Sequence, residues 1–303
     1  MNLTKYTTEN RNPQTMNLDQ MTAREIISVM NEEDKKVAEA IEEHIDKIAQ
    51  LAEWVAEAFY IGGRLIYIGA GTSGRLGVLD ASECVPTFGV SPEQVVGIIA
   101  GGDKALRVAI EGAEDSLTEA TESLQSLNLN EKDIVVGLAA SGRTPYVIGG
   151  LDFANSVGCK TASVSCNKDS EIGKIVKLAI DVEVGPEILT GSTRLKSGTA
   201  QKLVLNMITT ASMVLSGKAY ENLMVDVKTS NEKLIVRAQN IVMEATGVSR
   251  EVAIEYINLA ENDVKSSIIM ILTGLDLEQS KILLERNGGH VRASIKEKGE
   301  YNE

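Results

Sequence analysis

The sequence predicts an α/β chain whose parallel five-stranded sheet is covered by helices on both faces. Three observations predict it. Five short runs, at 65–68, 95–100, 133–140, 161–166 and 178–184, read as strands, the first of them wholly apolar and buried. Helical patterns alternate with most of these runs, the signature of parallel crossover units. Two of the runs lead directly into Gly/Ser/Thr loops followed by helices, as happens where ligands bind at the carboxyl edge of such a sheet.

Taken in order, residues 1–20 are polar, with Arg11-Asn12-Pro13 as a breaker, and read as an arm. A short helix is expected over 21–30 and a longer one from about Glu33. The longer one carries Val37, Ile41, Ile45, Ile48, Ala52, Val55 and Phe59 at helical spacing, which serves either a core-facing helix or a helix pair between subunits. His44, among Glu42, Glu43 and Asp46, reads as a solvated helix residue.

The stretch from Arg64 to Glu83 holds the first candidate site. Gly69, Gly71 and Gly74 allow a sharp turn and close approach of a ligand, and Thr72 and Ser73 can cap the next helix. Amides at that helix start suit a phosphate. Leu76, Leu79 and Glu83 share one side of the helix, and Pro86 is expected to stop it. After the second strand, Gly101-Gly102 precedes a helix expected over 104–127, with a stripe of Ile110, Ala113, Leu117, Ala120 and Leu124. Glu114 would border its buried face. The third strand runs into Ser141-Gly142-Arg143-Thr144-Pro145, a second loop-to-helix entrance. The run 185–202, with Ser192, Arg194, Lys196 and Lys202, is a third. From Asn231 the pattern is helical, in three or four short helices ending near His290, a turn residue beside two glycines. The expected division is 1–60 (arm and helices), 61–225 (ligand-binding domain) and 226–303 (helical module).

A net charge of −13 over 303 residues argues against nucleic acid as a partner. No apolar run approaches the ~20 residues of a membrane span, and the first residues lack the pattern of a signal peptide. Cys84, Cys159 and Cys166 show no metal or redox spacing and read as reduced thiols of a cytoplasmic protein. With two histidines, no metal site is expected. Gly69-Ala-Gly71-Thr-Ser-Gly74 matches a dinucleotide fingerprint, but the acidic residue expected about 20 positions on is missing and Asp103 comes too late. No cofactor is expected. Three hydroxyl-rich entrances suit a phosphorylated, hydroxyl-rich small molecule.

The loops at 69–74 and 141–145 resemble those of the sugar isomerase (SIS) fold. The run Gly185-Pro-Glu-x-x-x-Gly-Ser-Thr-Arg-x-Lys-Ser-Gly-Thr-x-x-Lys202 resembles a signature shared by N-acetylmuramic acid 6-phosphate etherases and the glucokinase regulatory protein. Thr8-Glu9-Asn10-Arg11-Asn12, Leu18-Asp19, Asn31-Glu-Glu-Asp34, Asp263-Val-Lys and Leu272-Thr-Gly274 are similar to the bacterial etherases, as is the length. The resemblance implies a three-layer, flavodoxin-like SIS sandwich with N-terminal helices and a small C-terminal helical module, acting as a homodimer. It implies cleavage of the C3 lactyl ether of N-acetylmuramic acid 6-phosphate, a step of cell-wall sugar recycling, by elimination and then hydration. The products would be N-acetylglucosamine 6-phosphate and D-lactate. The family's acid–base glutamates match Glu83, as proton donor to lactate, and Glu114, as base at C2. Desolvation on an apolar helix side would keep Glu83 protonated. Phosphate and sugar contacts fall to Gly71, Thr72, Ser73, Ser141, Gly142, Thr144, Ser192 and Lys202. The alternatives are a non-catalytic phosphosugar-sensing regulator and a phosphosugar isomerase.

Overall fold

The computed structural model describes residues 6–227 and 232–300. Asn231, where the helical tail was expected to begin, and the first five residues of the arm lie outside them. The chain packs as two compact units, residues 1–82 with 92–209 and residues 83–91 with 210–303.

The larger unit contains β1 (Leu65–Gly69), β2 (Val95–Ile99), β3 (Ile134–Leu138), β4 (Lys160–Ser165) and β5 (Leu178–Asp181). All pair in parallel, in the order β2-β1-β3-β4-β5. Gly69 is level with Ile99 on one side and Leu138 on the other, so the loops after β1, β2 and β3 leave the sheet together. The helices are α1 (Ala23–Glu42), α2 (Ile45–Tyr60), α3 (Gly71–Phe88), α4 (Glu119–Ser126), α5 (Pro145–Val157), α6 (Glu171–Lys174) and α7 (Lys196–Leu215). Pleat alternation sorts them into layers. Ile66, Ile68 and Val135 pack in one cluster with Ala120 and Leu124 of α4 and Val147 and Leu151 of α5. Tyr67 points the other way, its hydroxyl donating to Asp80 of α3 (3.1 Å). Each fully buried Ile or Leu contributes about 1.5–3 kcal/mol.

Four local expectations need correction. Helix α1 starts at a Thr22/Glu25 capping box and runs unbroken to Glu42, because 30–33 holds no breaker. The break falls at Glu43-His44 instead, and it turns Ile45 out to solvent. Pro86 is accommodated inside α3, which ends only where Gly89 adopts φ +65°. The helix expected over 104–127 is two 3₁₀ turns, Asp103–Leu106 and Ala113–Asp115, followed by the short α4. Positive φ at Gly112 breaks it up, and Leu117 is exposed.

In the smaller unit, a two-stranded ladder (β6, Ala219–Tyr220; β7, Leu223–Met224) precedes α8 (Glu232–Thr246), α9 (Arg250–Leu259), α10 (Val264–Thr273), α11 (Leu277–Arg286) and α12 (Val291–Glu300). Among the described residues there are five helices where three or four were expected. Gly288 and Gly289 turn the chain into α12 rather than ending the tail.

Candidate active site

In a sheet of order 2-1-3-4-5 the winding reverses between β1 and β3, and ligands bind in the crevice outside their carboxyl ends. The first two loop-to-helix entrances flank that crevice. After β1, Gly71 takes φ +54° and opens α3. The first-turn amides of α3 face out of the helix, as at any helix start. Thr72 is half-buried beside α7: a Cβ placed on Gly198 would lie 3.3 Å from its Cγ2. Ser73 is buried, and its hydroxyl donates to Gln201 Oε1 on α7 (2.7 Å), so that proton is committed to packing α3 on α7.

After β3, Gly142 has φ +72°, and a Cβ there would lie 2.4 Å from Ser170 Cβ. Its N–H donates to Ala139 O and its carbonyl accepts from Ile172 N–H. Asn167, following β4, fixes the same loop by donating from Nδ2 to Ala140 O (3.1 Å) and Ser141 O (3.4 Å). Ser141 and Thr144 are half-buried, and Thr144 precedes Pro145 at the start of α5. The arm closes over this edge. Asn167 also donates to Thr8 Oγ1 (3.0 Å), and the Arg143 guanidinium stacks 4.9 Å from the centroid of Tyr6.

The third entrance carries its own anion. Glu187 is fully buried, accepting from the N–H groups of Lys196 and Ser197 (3.0 and 2.9 Å) and from Ser197 Oγ (3.0 Å). It neutralises the positive end of α7. Lys196 is equally buried, with Nζ 2.6 Å from Glu33 Oε2. Much of the long signature therefore builds a polar core under the loop. Ser192 lies half-buried in the turn before α7. Lys202 is exposed on α7, where its charge acts on Asp80. Burial raises the Asp80 carboxyl above its ordinary value, opposed by hydrogen bonds from Tyr67, Asn206 and Thr209 and by Lys202.

Glu114 stands exposed on the 3₁₀ turn Ala113–Asp115 and lines a cavity of about 230 Å³. The same cavity is lined by Ala70 and Gly71 after β1, Ala100 after β2, Arg75 and Ile110. A carboxylate thus shares one recess with the start of α3. Glu83 lies further along α3 and belongs to the smaller unit. Its side chain is exposed and Leu79 is 48% exposed, so the apolar helix side expected to desolvate Glu83 faces solvent. The buried side of α3 is made of Ser73, Gly74, Gly77, Asp80, Ala81 and Cys84. Arg75, Glu187 and Lys196 were not among the expected site residues. Their partners are main-chain atoms or groups distant in sequence, and the only signal for them was their place inside the two motifs. Among the described residues no cluster of three or more His, Cys, Asp or Glu is arranged to hold a metal, and no helix is long and apolar enough to cross a membrane.

Two family models match the chain. One, described as the glucokinase regulatory protein N-terminal SIS domain, covers residues 24–155, and the SIS domain itself covers 116–211. Together with the sheet order, they make this a SIS-fold protein. Its sequence is 57% identical to the N-acetylmuramic acid 6-phosphate etherase of Actinobacillus pleuropneumoniae serotype 7 over 97% of this chain and 96% of that one. It is 57% identical to the etherase of the same name from Bacillus cereus AH187, over 97% of this chain and all of that one. The chain belongs to the N-acetylmuramic acid 6-phosphate etherase family. It is also similar to the phosphoheptose isomerase of Francisella tularensis, at 17% identity and a TM-score of 0.48, covering 63% of this chain and 100% of that chain.

Proposed function

We propose that this protein is an enzyme, a carbon–oxygen lyase that cleaves the D-lactyl ether of N-acetylmuramic acid 6-phosphate to N-acetylglucosamine 6-phosphate and D-lactate. The observation that carries the reading is the near full-length identity to relatives of that name, in a chain that has a carboxylate, Glu114, in one cavity with the amide-rich turn after β1. The phosphate takes the β1/β3 crevice, held by the amides of Gly71, Thr72 and Ser73 and by the loop Ser141, Gly142 and Thr144, with Ser192 and Lys202 adding a hydroxyl and a charge from the third entrance. The open-chain aldehyde makes the C2 proton acidic. Glu114 removes that proton, Glu83 protonates the departing lactate oxygen at C3, and water adds to the unsaturated aldehyde. One carboxylate acts as acid and the other as base, and the sequence of steps is redox-neutral.

The protein acts in the cytoplasm as a homodimer on this reading, which rests on the family resemblance. The match to a regulatory-protein domain keeps one rival in view: a sensor that binds the phosphosugar without cleaving it. The test is enzymatic D-lactate determination with N-acetylmuramic acid 6-phosphate, native protein beside Glu83→Ala and Glu114→Ala. Stoichiometric lactate from the native chain, lost in both variants, supports the reading. Saturable binding without lactate assigns the protein to the sensors.

A further inference from the structure

Glu114 is held by a single 3₁₀ turn, Ala113–Asp115, whose Ala113 packs against the core beside α5. It sits in the segment between β2 and α4, where Gly101, Gly102 and Gly112 all have positive φ. A general base has to lie within hydrogen-bond reach of the proton it takes, and a displacement of about 1 Å costs on the order of 10²-fold in rate. The turn itself packs on α5, and two side chains fix the rest of the segment from opposite ends. Arg75, in the opening turns of α3, donates from Nε to Leu106 O (3.2 Å) and from Nη2 to Ala105 O (2.7 Å). Its planar fork thus grips the 3₁₀ turn Asp103–Leu106. Glu119, the first residue of α4, accepts the Gly101 N–H at Oε1 (2.6 Å). Ile110 packs over the same glycine, where an added Cβ would lie 3.0 Å from its side chain. The stretch 107–118 bearing Glu114 leaves the sheet edge from the Arg75 grip and returns at Glu119, which ties it back to its own origin.

We propose that Arg75 and Glu119 are positioning residues that together clamp the Glu114 segment, with Arg75 coupling it to the phosphate-binding start of α3. This rests on the reading of Glu114 as the base at C2. Both Arg75 bonds go to main-chain carbonyls, so its cation anchors the segment while Glu114 and Arg75 face one cavity. Lysine reaches one carbonyl where arginine reaches two, and glutamine keeps the oxygen that accepts from Gly101.

The experiment is steady-state turnover of N-acetylmuramic acid 6-phosphate carrying protium or deuterium at C2, with thermal unfolding of each variant alongside. Arg75→Ala and Glu119→Ala are expected to lower kcat by roughly 10- to 100-fold with KM within about threefold. The C2 isotope effect on kcat should rise as proton removal becomes slower relative to the other steps. Glu119→Gln should stay within about threefold of native, and Arg75→Lys should recover part of the loss. A fall in kcat that tracks lost folded protein, with the isotope effect unchanged, overturns the clamp. So does native kcat in both alanine variants. Glu114→Gln separates the two claims: retained turnover there overturns the base assignment and the clamp's role with it, whereas its loss beside unaffected alanine variants overturns the clamp alone.

Discussion

Lys196→Met asks whether the signature lysine serves the fold or the ligand. Its side chain is 2% exposed, and its ammonium lies 2.6 Å from the carboxylate of Glu33, whose side chain is 3% exposed. Glu33 also receives Asn12 Nδ2 (3.1 Å) and the Lys36 ammonium. Removing one partner of a buried pair costs up to about 3–5 kcal/mol when the remaining charge is left desolvated and unpaired, and Lys36 and Asn12 keep the cost at or below the lower end of that range. At about 2–4 °C per kcal/mol for a unit of this size, Tm should fall by up to roughly 6–12 °C. The loss has a definite pH signature. Burial pushes the Glu33 carboxyl up, but the Lys196 and Lys36 ammoniums outweigh it and hold it below its ordinary value of 4.5. A lowered folded pKa means stabilisation that is present above that ordinary value and is lost as pH falls through the folded one. The gap between native and variant should thus be widest near neutrality and narrow below about pH 4.5. Glu33→Gln/Lys196→Met removes both charges and should recover most of the loss. Urea unfolding and calorimetry from pH 3.5 to 7.5 supply the numbers. A loss under about 1 kcal/mol, the range of an exposed pair, together with a tenfold rise in KM for the phosphosugar, would show that Lys196 serves the ligand and refute the packing argument.

Gly142→Ala meets both a positive φ and a Cβ 2.4 Å from Ser170. It should cost more than about 1 kcal/mol in stability and raise KM by displacing Ser141 and Thr144; unchanged unfolding and unchanged KM would contradict the loop's role. The three thiols are buried, and burial pushes Cys159 up to about 11 and Cys166 up to about 12. An aromatic disulfide at pH 8 should therefore titrate no fast thiol in the native protein and all three in denaturant. A rapid native thiol would show that the interior opens.

What the sequence disclosed follows from where hydrophobicity is concentrated. The central strands β1 and β3 are buried along their whole length and read as apolar runs, and the edge strands β2 and β5 are buried in part, so the strands were legible although β4 carries Thr161, Ser163 and Ser165. The crevice loops were legible because glycine is required there by geometry, as at Gly71 and Gly142. The buried face of α3 was not. It is built from Gly74, Gly77 and Ala81, which pack by closeness rather than by apolar bulk; a Cβ on Gly77 would lie 2.9 Å from Tyr67. The larger Leu76 and Leu79 drew attention to the wrong side. The stretch 103–118 imitated a helix because Ile110, Ala113 and Leu117 happen to fall at its spacing, while Gly112, in the left-handed region, interrupts it. Hydrogen bonds from Arg75 to main-chain carbonyls and the Glu187 cap on α7 leave no trace in a residue pattern, since their partners are set by the fold.

The most direct test of the etherase reading is turnover of N-acetylmuramic acid 6-phosphate in water enriched in oxygen-18, with both products weighed by mass spectrometry. Elimination at C3 followed by hydration predicts one heavy oxygen in N-acetylglucosamine 6-phosphate, beyond what aldehyde exchange at C1 introduces, and D-lactate that keeps its original ether oxygen. Heavy oxygen at the lactate hydroxyl, or no lactate at all, would contradict it.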